Sequence, residues 1–262
     1  MSPLDRERIR MKILAVDTAT AWQSVAVLDS EKVLARADGD AGGAHAKRLV
    51  PAIDRVLTSC GMALTDLDGL AVSIGPGSFT GLRVGLATML GFRLVTGLPL
   101  AAVPTLEAMA WNLRGAELPL CPMLRARTGE VYWGLYQWRG DGMLQLLQDE
   151  RVGAVAAVAQ TLRGPVIVFG EGWRSHGKEL RPMLAAGGVD VREAPPDAGC
   201  PSAVSVGLAG LAQLHRGHVA GRGVAPRYVQ RAEAEVVWER RGVASPLAKA
   251  SRQTAGRKAR AS

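Results

Sequence analysis

The stretch Ser73–Gly85, SIGPGSFTGLRVG, constrains the fold more than any other part of the chain. Gly75, Pro76, Gly77 and Ser78 form a tight turn between the apolar run at 69–72 and a helix-periodic segment read as Thr80–Gly97. A strand must therefore hand over to a helix within a few residues. The turn invites a phosphate reading, because free N–H groups at a helix start receive anions. Two sequence patterns argue against specific versions of it. Walker A requires Lys and Ser/Thr after its last glycine, whereas Gly81 is followed by Leu82 and Arg83. Read as GxGxxG, the third glycine is replaced by Thr80. An unspecific anion site and a purely structural turn both remain open.

The helix that follows carries Gly81, Gly85 and Thr88 at i, i+4, i+7, with Gly91 a step beyond. Each interior glycine costs about 0.8–1 kcal/mol relative to alanine, so a close backbone approach must compensate. That neighbour is either the chain's own first helix or a helix of another subunit.

Around this unit the pattern is regular. Met11–Asp17, Trp22–Leu28 and Lys32–Ala37 read as a strand meander. Leu49, Ile53, Val56 and Leu57 lie at helical spacing, with Pro51 marking a bend or late start. Further strands and helices reach Arg114; the pattern then restarts and ends on a strand-like segment at 225–229. This predicts an α/β protein with mixed sheets covered by helices. The divisions are an N-terminal extension (1–10), an N-terminal lobe (11–115), a C-terminal lobe (116–231) and a basic tail (232–262).

At the end of the first strand, Asp17-Thr18-Ala19-Thr20 suits Mg²⁺–nucleotide chemistry, since a carboxylate suits a hard cation and turn amides can face phosphate. Asp17, Thr18, Gly75, Gly77 and Ser78 are thus the candidate nucleotide or anion contacts. Asp and Thr are equally ordinary turn residues. His45 has Leu49 at i+4, so no His-x-x-x-His metal face starts there, and no GxSxG elbow is present. Cys60, Cys121 and Cys200 form no CxxC pair. No metal site is therefore expected. The strand EVYWGLYQW aligns Tyr132, Tyr136 and Trp138, either as a base-stacking surface or as buried core.

The net charge of +8 is unevenly placed. Seven basic residues and no acid stand from Arg240 onward, while the body is neutral. Such a tail can attract RNA phosphates without specificity. No apolar run approaches the roughly 18 residues a membrane span needs, so a cytoplasmic protein is expected.

MKILAVDTATAWQSVAVL, the GPGSFTGLRVG stretch with its following TLEAMA, RTGEVYWGLYQW and PRYVQR together resemble the TsaB (YeaZ) family, in order over most of residues 11–231. The resemblance implies the actin-like ATPase fold of sugar kinases and Hsp70, with two lobes. It also implies a non-catalytic scaffold in making threonylcarbamoyladenosine at position 37 of tRNA. The implied partners are a TsaD-like transferase and a TsaE-like ATPase, with tRNA engaged through the complex. A homodimer through the same helical face is the alternative assembly. By carry-over, Leu49, Ile53, Leu57, Gly81, Gly85 and Thr88 stand near the partner interface. No intrinsic cofactor is implied, and ATP or ADP would belong at that interface. One departure is Arg125-Ala126-Arg127 where the family has Asp-Ala-Arg. Two rival readings are an actin-fold ATP-dependent phosphotransferase using Asp17 and a stand-alone RNA binder using the tail.

Overall fold

The computed structural model describes residues 10–229; the expectations for residues 1–9 and for the basic tail lie outside them. The first sheet is built from β1 (Lys12–Asp17), β2 (Trp22–Asp29), β3 (Lys32–Asp40), β4 (Gly69–Ser73) and β5 (Leu100–Val103). Its order is β3-β2-β1-β4-β5, with the meander antiparallel and β4 and β5 parallel to β1. The second sheet repeats the plan with β6 (Leu120–Arg125), β7 (Glu130–Trp138), β8 (Leu144–Ala154), β9 (Val166–Phe169) and β10 (Val191–Glu193). Its order is β8-β7-β6-β9-β10, again a meander followed by two parallel strands.

The crossovers follow from apolar spacing. α1 (His45–Ser59) and α2 (Phe79–Thr96) join parallel strands and cover one face of the first sheet. There Leu49, Ile53, Val56, Leu57, Leu86 and Met89 meet Leu14, Val16, Val25 and Val27. α4 (Val155–Thr161) and α5 (Glu171–Ala186) do the same for the second sheet. α3 (Thr105–Trp111) follows the first sheet but packs on β6 and β7, where the Trp111 and Trp138 rings meet edge to face at 4.8 Å. α6 (Ala203–His215) follows the second sheet and returns to lie on β1, β2, β4 and β5. Each sheet thus has one of its faces covered by a helix from the other half of the chain. Asn112 stitches the crossing by donating to the carbonyls of Ala198 and Cys200, both at 2.9 Å.

Two local expectations are corrected. α1 begins at His45 and runs through Pro51, because a proline in the second turn breaks only the bond to the Lys47 carbonyl. No strand forms at 225–229; Arg227 is held by a single backbone bond to the Ile74 carbonyl, at 2.6 Å. Tyr132, Tyr136 and Trp138 are buried, so this strand belongs to the core.

Candidate functional site

The Gly-rich turn and the first hairpin form one packed unit. Ser78 caps α2 by accepting from Gly81 N–H at 3.2 Å, and its own N–H donates to the Ala19 carbonyl at 2.6 Å. The Thr18 hydroxyl donates to the Gly81 carbonyl at 2.8 Å. A Cβ at Gly81 would overlap the Thr18 carbonyl oxygen, one at Gly85 the Thr18 hydroxyl, and one at Gly77 the Ala19 carbonyl oxygen. At Gly75, whose φ is +115°, a Cβ would stand 2.6 Å from the carbonyl oxygen of Arg227. The glycines therefore let the hairpin and the Arg227 segment lie against the turn. Three of the turn's amides are already bonded within the chain: Gly75 N–H to the Thr105 hydroxyl, Ser78 N–H to the Ala19 carbonyl and Gly81 N–H to the Ser78 hydroxyl.

Asp17 is 1% exposed and its Oδ1 accepts from Ala19 N–H at 3.1 Å. Burial pushes its pKa up to about 6, against the opposing pull of the Ser73 hydroxyl and the Ala19 N–H. Between the two sheets a cleft of about 180 Å³ is lined by the hairpin at Ala19–Ala21, by Gly77 and Ser78, and by Leu124, Arg125 and Glu171. Of the five candidate anion contacts only Gly77 and Ser78 reach it. Arg125, the departure from the family pattern, faces Glu171 at 3.5 Å. Asp17, Thr18 and Gly75 do not line the cleft, so the residues expected to contact a nucleotide are not all brought together there. Among the described residues no group of three or more His, Cys, Asp or Glu could hold a metal ion.

Behind the turn, the Arg227 guanidinium meets the buried Glu150 carboxylate at 3.0 Å, and Tyr136 donates to the same carboxylate at 2.7 Å. Burial raises the pKa of Glu150, while the Tyr136 hydrogen bond and the Arg227 charge oppose the rise. This ion pair fixes the segment that covers Gly75.

The residues expected at a partner interface separate into two groups. Leu49, Ile53 and Leu57 are buried in the chain's own core, and Gly81 and Gly85 lie under Thr18. Thr88 is half-buried and its hydroxyl donates to the Val84 carbonyl. Five of the six thus face inward, because an apolar stripe on a helix crossing a sheet is first used by that sheet.

A family model described as TsaD: tRNA N6-adenosine threonylcarbamoyltransferase matches residues 38–169. An Escherichia coli K12 protein named tRNA threonylcarbamoyladenosine biosynthesis protein TsaB is 38% identical over 191 residues, covering 68% of this chain and 80% of that one. The chain belongs to the TsaB family. A Bacillus subtilis relative of the same name is 31% identical, over 87% of this chain and 98% of its own. A solved structure of YeaZ from Pseudomonas aeruginosa superposes with a TM-score of 0.71 at 29% identity, covering 83% of this chain and 99% of that one. The chain shares the fold of that structure, and its own two sheets repeat one strand order.

The second half of α2 carries the most exposed large apolar side chains among the described residues of this TsaB-family chain. Ala87, Gly91, Leu94 and Val95 follow one another at spacings of four, three and one, with Leu94 87% and Val95 85% exposed. Val50, on α1, is 51% exposed. A Cβ at Gly91 would meet nothing within 4 Å. Sequence reasoning passed over Leu94 and Val95, although their adjacency prevents both from facing one core. Among the described residues no helix is long and apolar enough to cross a membrane.

Proposed function

We propose that this chain is the non-catalytic scaffold subunit in synthesis of threonylcarbamoyladenosine at position 37 of tRNA, docking and activating a TsaD-like transferase. A TsaE-like ATPase joins the pair, and tRNA is engaged through the complex in the cytoplasm. The docking face is the outer stripe of α2, Ala87, Gly91, Leu94 and Val95. The names of the relatives support the pathway, and the packed glycine turn supports a role without phosphoryl transfer. The observation that carries the reading is Gly91: a helix-interior glycine with no neighbour of its own keeps a place for another helix. Without the transferase, two copies of the chain associate through the same stripe, and ATP or ADP belongs at the assembled interface.

The test is titration calorimetry of the full chain against the TsaD-like protein of the same genome. Wild type is expected to bind, and Leu94→Glu with Val95→Glu to weaken binding at least tenfold while leaving the circular dichroism spectrum unchanged. No binding by wild type, or equal binding by the variant, contradicts the reading. Heat from Mg²⁺–ATP that disappears in Asp17→Ala would favour the phosphotransferase reading.

A further inference from the structure

None of the residues of α2 is acidic, while Arg83 and Arg93 are basic. Successive residues of a helix turn by about 100°, so Thr80, Arg83, Ala87, Gly91 and Leu94 fall within an arc of about 80°. All five are exposed. Arg83 thus extends the outer stripe into the first half of the helix, whose inner face lies under Thr18. Its guanidinium lies over the Phe79 ring at 3.7 Å, and Phe79 is exposed as well. Stacking holds the planar fork in place, so less freedom is lost when its N–H groups meet an acceptor.

Beside the other end of the stripe is a groove of about 500 Å³ lined by Leu90, Arg93, Leu94, Gly97 and Arg222. Leu94 belongs to both, so the groove continues the docking stripe. Arg93 donates to the Ala220 carbonyl at 2.7 Å and offsets the negative pole at the end of α2. Arg222 makes no ion pair or hydrogen bond among the described residues. No acidic side chain lines the groove. Asp66, in the short 3₁₀ turn that packs on α2, is committed to the Ala63 N–H at 2.8 Å.

A second copy of the chain answers these charges poorly. A two-fold axis runs the two helices antiparallel and makes each contact reciprocal. With Ala87 of one copy opposite Gly91 of the other, Arg83 falls opposite Val95, and α2 brings arginines but no carboxylate from either side. Like charges left together across an interface penalise the pairing, and opposite ones favour it. Arg83 and Leu94 stand about 16 Å apart along the axis, a span that one facing helix covers. We propose that α2 selects its partner by charge: the occupant is a helix of the TsaD-like transferase whose carboxylates reach Arg83 and the groove at Arg222. Between them its small and apolar side chains sit on Ala87, Gly91 and Leu94. This rests on the scaffold reading and deepens it, making Arg83 and Arg222 the residues that favour the transferase over a second copy.

The experiment pairs titration calorimetry of the full chain against the TsaD-like protein of the same genome with sedimentation of the chain alone, each at low and high salt. Transferase binding should weaken as salt rises, and self-association should strengthen as like charges are screened. Arg83→Glu with Arg222→Glu should weaken transferase binding at least tenfold at an unchanged melting temperature, without weakening self-association. Arg83→Lys with Arg222→Lys keeps both charges and should bind the transferase within about threefold of wild type. Unchanged transferase affinity in the Glu variant would overturn the proposal, as would an equal loss in the Lys variant or self-association that weakens with salt. If the Leu94/Val95 variant loses binding and the Glu variant does not, the docking stripe stands and charge selection falls. If wild type does not bind at all, both fall together.

Discussion

The two halves of α2 contain the same unfavourable residue for opposite reasons. In the first half, Gly81 and Gly85 are demanded from within, because Thr18 occupies the space of a side chain. In the second half, Gly91 faces open space, and the residues after it, Leu94 and Val95, are the most exposed large apolar side chains among the described residues. One end of the helix holds the fold together; the other presents a surface to a partner. A small-residue stripe therefore carries no single meaning, and what lies opposite each position decides it.

The comparison breaks most visibly at Gly81. Gly81→Ala should cost about 3 kcal/mol or more, because the backbone of the hairpin must move to admit the methyl group. Urea denaturation would read this loss, and a change within about 0.5 kcal/mol would show that the hairpin is not packed as described.

Asp17 tests the same half through pH. Its pKa of about 6 in the folded protein exceeds the ordinary 3.8, so the folded state binds the proton more tightly than the unfolded one. Its stabilising contribution is full below about pH 4 and is lost as pH rises to about 6, a change of up to about 3 kcal/mol. Denaturation midpoints of wild type should therefore fall relative to those of Asp17→Asn across that window. Parallel pH profiles would place Asp17 in water.

Arg227→Ala removes the partner of a buried carboxylate and loosens the segment over Gly75. Because the guanidinium is itself partly exposed, the expected loss is about 2 kcal/mol, below the usual range for a fully buried pair. Thermal unfolding checks it. The smallest effect has the opposite sign. Gly91→Ala should stabilise the isolated chain by about 0.5–1 kcal/mol through helix propensity alone, readable in the same melts. A destabilised Gly91→Ala would mean that this position, too, has an internal neighbour.

Much of the architecture was legible in the sequence, since strand alternation, turn glycines and helical spacing are local signals. The meander and the crossover helices correspond to elements of the two sheets. The exchange of α3 and α6 between sheets was not legible, because their apolar faces state that they are covered but not by what. The candidate interface suffered from the same ambiguity. Leu49, Ile53 and Leu57 mark a buried face, and the nearest sheet takes that face before any partner can. Gly81 and Gly91 are indistinguishable by spacing; only the position of Thr18 separates them.

The central claim is that the exposed half of α2 is a docking surface, and a Gly91→Leu substitution tests it most directly. Calorimetric titration of wild type and this variant against the TsaD-like protein should show at least a tenfold loss of affinity, with the fold of the variant intact by circular dichroism. Equal affinities would contradict the account and return Gly91 to an unexplained glycine on an open helix.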